Sequence, residues 1–274
     1  MKQISPFLVA LSLLAGPALG QVDAIAGAQF LQGGTMPDGR LLAAIKIQLS
    51  PAWKTYWRQP GIGGGIPPQF DWSGSQNLGD VALMWPTPLV WGDEGMTNIG
   101  YQGHMIVPII ITPKDAALPV SIALKVDLGV CKDICVPAQV SVGGTLADAL
   151  ADMADTPPVP APEITAALGD MPILAHDIAG ASWHCTAVPI KDGMRVTAHI
   201  ILPDMGGGET VVIEHRNAKI WASGAELHRN GAELIAVADL VPPEAAPFAL
   251  QGADLRLTVL AKGQAVDMSD CPLN

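Results

Sequence analysis

The residues of this 274-residue chain best suited to chemistry are its four cysteines, which form two unlike pairs. Cys131 and Cys135 lie close together in Val130-Cys131-Lys132-Asp133-Ile134-Cys135-Val136-Pro137, whereas Cys185 and Cys271 bracket the last third of the chain. Residues four apart in a straight strand stand ~13 Å apart, beyond the ~7 Å a disulfide tolerates, so a bond between Cys131 and Cys135 requires the chain to reverse between them. A hairpin with Lys132-Asp133-Ile134 at its tip would do this. The loop closed is about five residues, for which chain entropy gives ~2 kcal/mol, against ~4.6 kcal/mol for a Cys185–Cys271 bridge closing about 87 residues. A short-loop bond is a weak staple and a good redox couple. On a hairpin tip beside Lys132 it is open to attack by another thiolate, although Asp133 opposes any lowering of the thiol pKa. A purely structural hairpin bond is the alternative, and four cysteines allow three pairings that spacing alone does not separate. Cys185 and Cys271 read as structural, tying the last strand of their region to its first.

Other chemistries find less support. Cys131 and Cys135 could hold a soft ion such as Cu(I), with Met96 or His104 as further ligands, but no Cys-x2-Cys or His-x3-His pair accompanies them. The reading therefore calls for no metal and no cofactor. The chain lacks a Gly-x-Ser-x-Gly elbow, a Walker loop and a His-Glu-x-x-His helix. Gly61-Ile62-Gly63-Gly64-Gly65 lacks the lysine and helix of a phosphate loop and reads as a flexible turn. Asp93-Glu94 reads as a solvated loop pair rather than an acid/base couple.

Strands must position these groups. Leu41–Leu49, Met105–Ile111, Val120–Leu128 and Val136–Val142 are short β-rich runs, and Arg195–Leu202, Thr210–Glu214, Glu233–Leu240 and Asp254–Ala261 repeat the pattern later. Gly- and Pro-containing turns separate them, as expected for β-sandwiches. A brief helix is expected at Leu146–Met153. It leads into Thr156-Pro157-Pro158-Val159-Pro160-Ala161-Pro162, whose proline density favours a stiff, extended linker. The expected organisation is a domain over 21–150, a linker over 151–165 and a second β-domain over 166–274.

Composition narrows the partners. With 49% hydrophobic and 15% charged residues the chain should fold around a core rather than remain disordered. Its formal charge of −11 gives no basic footprint for nucleic acid. Residues 1–20 read as a signal peptide, with Lys2, the apolar run Phe7–Ala15 and small residues at Ala18 and Gly20 before a cut ahead of Gln21. No later stretch approaches the ~20 apolar residues of a spanning helix, so no membrane insertion is expected after cleavage.

Five of the seven Trp and both Tyr fall between positions 53 and 101. Core packing is the simplest account of most, with some left for a docking surface. At these residues a family resemblance emerges. The ordered series Trp53–Gly61, Pro67–Ser75, Trp85-Pro86-Thr87-Pro88, Gly100-Tyr101-Gln102-Gly103 and Val130–Pro137 resembles the N-terminal periplasmic domain of the DsbD/ScsB thiol:disulfide interchange reductases, the ScsB variant associated with copper tolerance being nearer. The resemblance covers about residues 25–145.

It implies an all-β chain of two immunoglobulin-like sandwiches in tandem. It also implies that Cys131 and Cys135 cycle between dithiol and disulfide, exchanging with thioredoxin-like proteins in the periplasm. By position, the family's protective cap loop would be Asp93, Glu94, Gly95 and Met96, where Gly95 and Met96 replace the aromatic residues of DsbD. The full reductases continue into a membrane domain and a thioredoxin-like domain. This chain ends at Asn274, so a separate membrane electron donor is expected. A copper-binding accessory protein and a disulfide-stapled interaction module are the rival functions.

Overall fold

The computed structural model describes residues 24–92, 96–146 and 160–274. The expected signal peptide, most of the expected Leu146–Met153 helix and Asp93, Glu94 and Gly95 lie outside these residues.

The N-terminal sandwich comprises β1 (Ile25–Thr35), β2 (Leu41–Leu49), β3 (Lys54–Tyr56), β4 (Gln69–Asp71), β5 (Leu78–Leu83), β6 (Leu89–Trp91), β7 (Asn98–Gln102), β8 (His104–Pro113), β9 (Val120–Cys131) and β10 (Cys135–Leu146). One sheet runs β1-β2-β8-β5 and the other β10-β9-β3-β7-β6, with β4 also on β9. Strict alternation drives the pairing of the two layers. In β9, Val120, Ile122, Leu124, Val126 and Leu128 point inward while Ser121, Ala123, Lys125 and Asp127 face solvent. They meet Ile45, Ile47, Val107, Ile109 and Ile111 of the facing sheet in one buried cluster.

Helix α1 (Pro162–Gly169) begins inside the stretch whose prolines suggested an extended linker through residue 165. Pro162 opens the helix, where its fixed φ suits the first turn and its missing N–H leaves no bond unmade, and Glu163 complements the dipole there. Leu146, expected to start a helix, instead closes β10.

The C-terminal sandwich follows with β11 (Ile173–Leu174), β12 (Ser182–Ile190), β13 (Gly193–Ile201), β14 (Thr210–His215), β15 (Trp221–Ala222), β16 (Glu226–Asn230), β17 (Glu233–Val241), β18 (Leu255–Ala261) and β19 (Gln264–Met268). Its sheets run β11-β19-β18-β14 and β12-β13-β17-β15, with β16 also on β17. Leu257, Val259, Val211, Ile213, Val266 and Met268 fill its own core.

The outer face of β14, β18 and β19 is also covered. Val212, Leu260 and Ala265 pack into the cluster of the N-terminal sandwich. β18 is consequently buried on both faces, which explains why Leu257–Ala261 reads as a near-continuous apolar run instead of alternating. The backbone N–H of Thr87 also donates to the Asp170 carbonyl across the junction, at 2.8 Å.

Candidate redox site

Cys131 ends β9 and Cys135 begins β10, and the two are direct cross-strand partners in an unbroken antiparallel register that continues to Leu146↔Val120. Their Cα atoms are 4.1 Å apart and they form a disulfide. The reversal required by their spacing is the turn Lys132-Asp133-Ile134, closed by a bond from the Lys132 N–H to the Ile134 carbonyl. The other two cysteines pair as well. Cys185 in β12 bonds Cys271, just beyond β19, and the final residues run beside β12, with the Cys185 N–H donating to the Pro272 carbonyl.

The two sulfurs of the hairpin differ in access. Cys131 is 8% exposed, whereas Cys135 lies open on the surface. Register explains what covers Cys131. Lys54 of β3 is its partner on the side away from β10, so Lys54 and, two residues on, Tyr56 share its face of the sheet. The Tyr56 hydroxyl lies 2.8 Å from Cys131 Sγ and 3.3 Å from Cys135 Sγ. Disulfide sulfurs carry no proton, so the hydroxyl donates. Tyr56 is only 3% exposed. Burial raises its pKa above the ordinary phenol value, so it stays a donor throughout the neutral range.

Three neighbours fix that ring. Trp91 stacks beside it with centroids 6.4 Å apart, and the Lys54 ammonium sits 5.0 Å over the Trp91 ring. Gly65, at φ +152°, lies so close to the ring that any side chain there would collide with it. The glycine run that read as a flexible turn therefore makes room for the tyrosine. Underneath, Thr55 Oγ1 donates to the Gly129 carbonyl at 2.8 Å, and the Gly129 N–H donates to Ile66.

Of the expected cap residues, only Met96 is described. It is 59% exposed, and Asn98 Nδ2 donates to its carbonyl at 3.0 Å. His104 lies in β8, on the opposite sheet, and is not brought to the cysteines. Among the described residues no three His, Cys, Asp or Glu side chains group as metal ligands. The aromatic cluster divides. Trp57 and Trp85 are core residues, Trp91 serves the site, and the most exposed tryptophan is Trp221 of the C-terminal sandwich, outside the cluster.

A hairpin disulfide with one covered and one open sulfur, set at the edge of an immunoglobulin-like sandwich, coincides with a sequence match. A family model described as the N-terminal region of the thiol:disulfide interchange protein DsbD covers residues 22–146. Over these residues the chain is similar to the DsbD N-terminal family. The crystal structure of the N-terminal periplasmic domain of ScsB from Proteus mirabilis is similar over 89% of this chain and 91% of that one, with a TM-score of 0.57 and 20% identity. That likeness extends past the DsbD-type region through the C-terminal sandwich and shows a shared fold. The C-terminal domain of the AgI/II polypeptide BspA from Streptococcus agalactiae also matches, at 9% identity over 88% of this chain and 97% of that one. Its TM-score of 0.15 carries no argument. No curated protein sequence matches the chain. No helix among the described residues is long and apolar enough to cross a membrane.

Proposed function

We propose that the protein carries out thiol:disulfide interchange through Cys131 and Cys135, exchanging electrons with thioredoxin-like proteins in the periplasm. The observation that carries this reading is the asymmetry of the pair: Cys135 is open, Cys131 is covered, and the Tyr56 hydroxyl is in reach of both. A donor's thiolate attacks Cys135 Sγ, the Cys131–Cys135 bond breaks, and Cys131 leaves as a thiolate that accepts the Tyr56 hydrogen bond. The donor's second thiolate then attacks its own sulfur in the mixed disulfide and releases Cys135. Two electrons have passed, leaving the donor oxidised and this chain a dithiol. The reverse sequence delivers them, with Cys135 attacking an acceptor disulfide and Cys131 resolving the intermediate.

Exposed Ile134 at the tip, with Leu89 and Met96, supplies apolar surface for a partner. Cys185–Cys271, wholly buried, serves as a staple. The chain divides into its two sandwich domains within 151–165, and a signal peptide over residues 1–20 directs export. Electrons reach the pair from a membrane electron donor.

The test is equilibration in graded thiol/disulfide buffers, followed by alkylation and peptide mass analysis. Cys131–Cys135 should open well above about −300 mV while Cys185–Cys271 stays closed. Equal resistance of both bonds would leave a stapled binding module. Stoichiometric Cu(I) binding lost in a Cys131/Cys135 double mutant, without exchange, would instead favour the copper-accessory reading.

A further inference from the structure

β3 has only three residues, yet it carries the hydroxyl that reaches both sulfurs. Its exit is held from the other sandwich. Immediately after Tyr56, the Trp57 N–H donates to Ile99, and Arg58 then crosses the junction. Arg58 Nε donates to both carboxylate oxygens of Glu214 in β14, at 3.0 and 3.1 Å. Its Nη2 donates to Thr258 Oγ1 of β18 at 3.1 Å and lies 3.9 Å from Asp267 of β19. Arg256 closes the network with two bonds to Asp267, at 2.8 and 3.1 Å.

Two guanidiniums and two carboxylates balance, and the Arg58 and Glu214 side chains are each only 11% exposed. Burial opposes the charge of Arg58, and the Glu214 carboxylate beside it counters that effect. The guanidinium also lies 3.6 Å over the Trp57 ring. Such a network tolerates little displacement, because moving Arg58 strands buried carboxylates in the C-terminal sandwich. The residue two positions from Tyr56 is thereby fixed to a rigid external frame.

We infer that Arg58 is a positioning residue for the redox pair, through which the C-terminal sandwich holds the Tyr56 hydroxyl at Cys131 and Cys135. The inference rests on the exchange function proposed above. It assigns the C-terminal sandwich a part in the chemistry, beyond lengthening the chain.

The experiment compares the unaltered protein with Arg58→Met, Arg58→Lys, Glu214→Gln, Tyr56→Phe and the Arg58→Met/Tyr56→Phe double variant. For each, the equilibrium constant of Cys131–Cys135 with glutathione and the rate of its reduction are measured. The Cys185–Cys271 bond serves as an internal control. Arg58→Met and Glu214→Gln should both lower the constant and the rate by roughly two- to tenfold, in the same direction as Tyr56→Phe. Arg58→Lys should recover part of the loss. The double variant should fall no lower than Tyr56→Phe alone, because both act on one hydroxyl.

A lower unfolding temperature for Arg58→Met and Glu214→Gln with constant and rate unchanged would overturn the assignment, leaving a mere domain clamp. Effects that add fully in the double variant would overturn it too. If Arg58→Met does not fold, Glu214→Gln decides alone. If Cys131–Cys135 of the unaltered protein resists reduction as Cys185–Cys271 does, the exchange function itself fails; normal opening with silent Arg58 and Glu214 variants refutes only the role of Arg58.

Discussion

Tyr56→Phe removes one oxygen and leaves the ring in its place beside Trp91 and Gly65. In the oxidised protein the hydroxyl bonds a neutral sulfur, so its loss should change stability by under about 1 kcal/mol. In the transition state for attack on Cys135, negative charge develops on Cys131, the nearer sulfur at 2.8 Å. A hydrogen bond to a charged group is worth about 1.5–3 kcal/mol. At the lower end of that range, reduction should slow by about tenfold, each 1.4 kcal/mol being one decade. Because the same bond stabilises the reduced form, the potential should fall by about 30 mV, the two-electron equivalent of 1.4 kcal/mol. Quenched-flow reduction by a small thiol, with alkylation of the freed cysteines, reads the rate, and glutathione titration reads the potential. Burial keeps Tyr56 protonated past the ordinary phenol value, so the deficit should be constant from neutral pH to about pH 9. An unchanged rate, or a potential that rises, would refute the role given to the hydroxyl.

Four further outcomes are expected. Cys131→Ser should accumulate a mixed disulfide through open Cys135, whereas Cys135→Ser, left with the covered sulfur, should trap far less on a denaturing gel. Cys185→Ser should lower unfolding stability by about 2–5 kcal/mol in denaturant titrations while leaving exchange at Cys131–Cys135 intact. Gly65→Ala forces a methyl group against the Tyr56 ring, and its reduction rate should fall toward that of Tyr56→Phe. Tyr101, buried with its hydroxyl on the Pro86 carbonyl, has a pKa that burial raises far above the ordinary value. Its contribution should be complete below about pH 10 and lost as pH rises further, because the unfolded chain ionises there first. Alkaline unfolding curves of Tyr101→Phe should show a shallower loss.

The hairpin was legible in the sequence because Val120–Leu128 alternates cleanly and Cys131 and Cys135 flank a three-residue tip. Leu41–Leu49 was read to the residue, whereas strands such as β8 and β10 run past their expected ends. Tyr56 as partner of the sulfurs was not legible, since the contact joins positions 75 apart and a three-residue strand cannot display a period of two. Arg58 was equally silent. A single arginine beside a tryptophan gives no hint that its carboxylate lies 156 residues away. The Gly61–Gly65 run illustrates a different failure, in which composition suggested looseness and the structure uses absent side chains for close packing. At Pro162, local chemistry that suits a first helical turn overrode the extended bias of the prolines before it.

The β9–β10 register is held by more than the sulfur–sulfur bond. Eleven further cross-strand pairs, from Val136↔Val130 to Leu146↔Val120, keep the hairpin closed when the bond is cut. The freed thiol therefore stays beside its neighbour at a very high effective molarity, with almost no loop entropy to repay before it strikes back. Any complex with a partner should be brief, since the neighbouring cysteine can cleave the intermolecular bond as soon as it ionises. Such an arrangement suits a shuttle, which must release each partner quickly to meet the next.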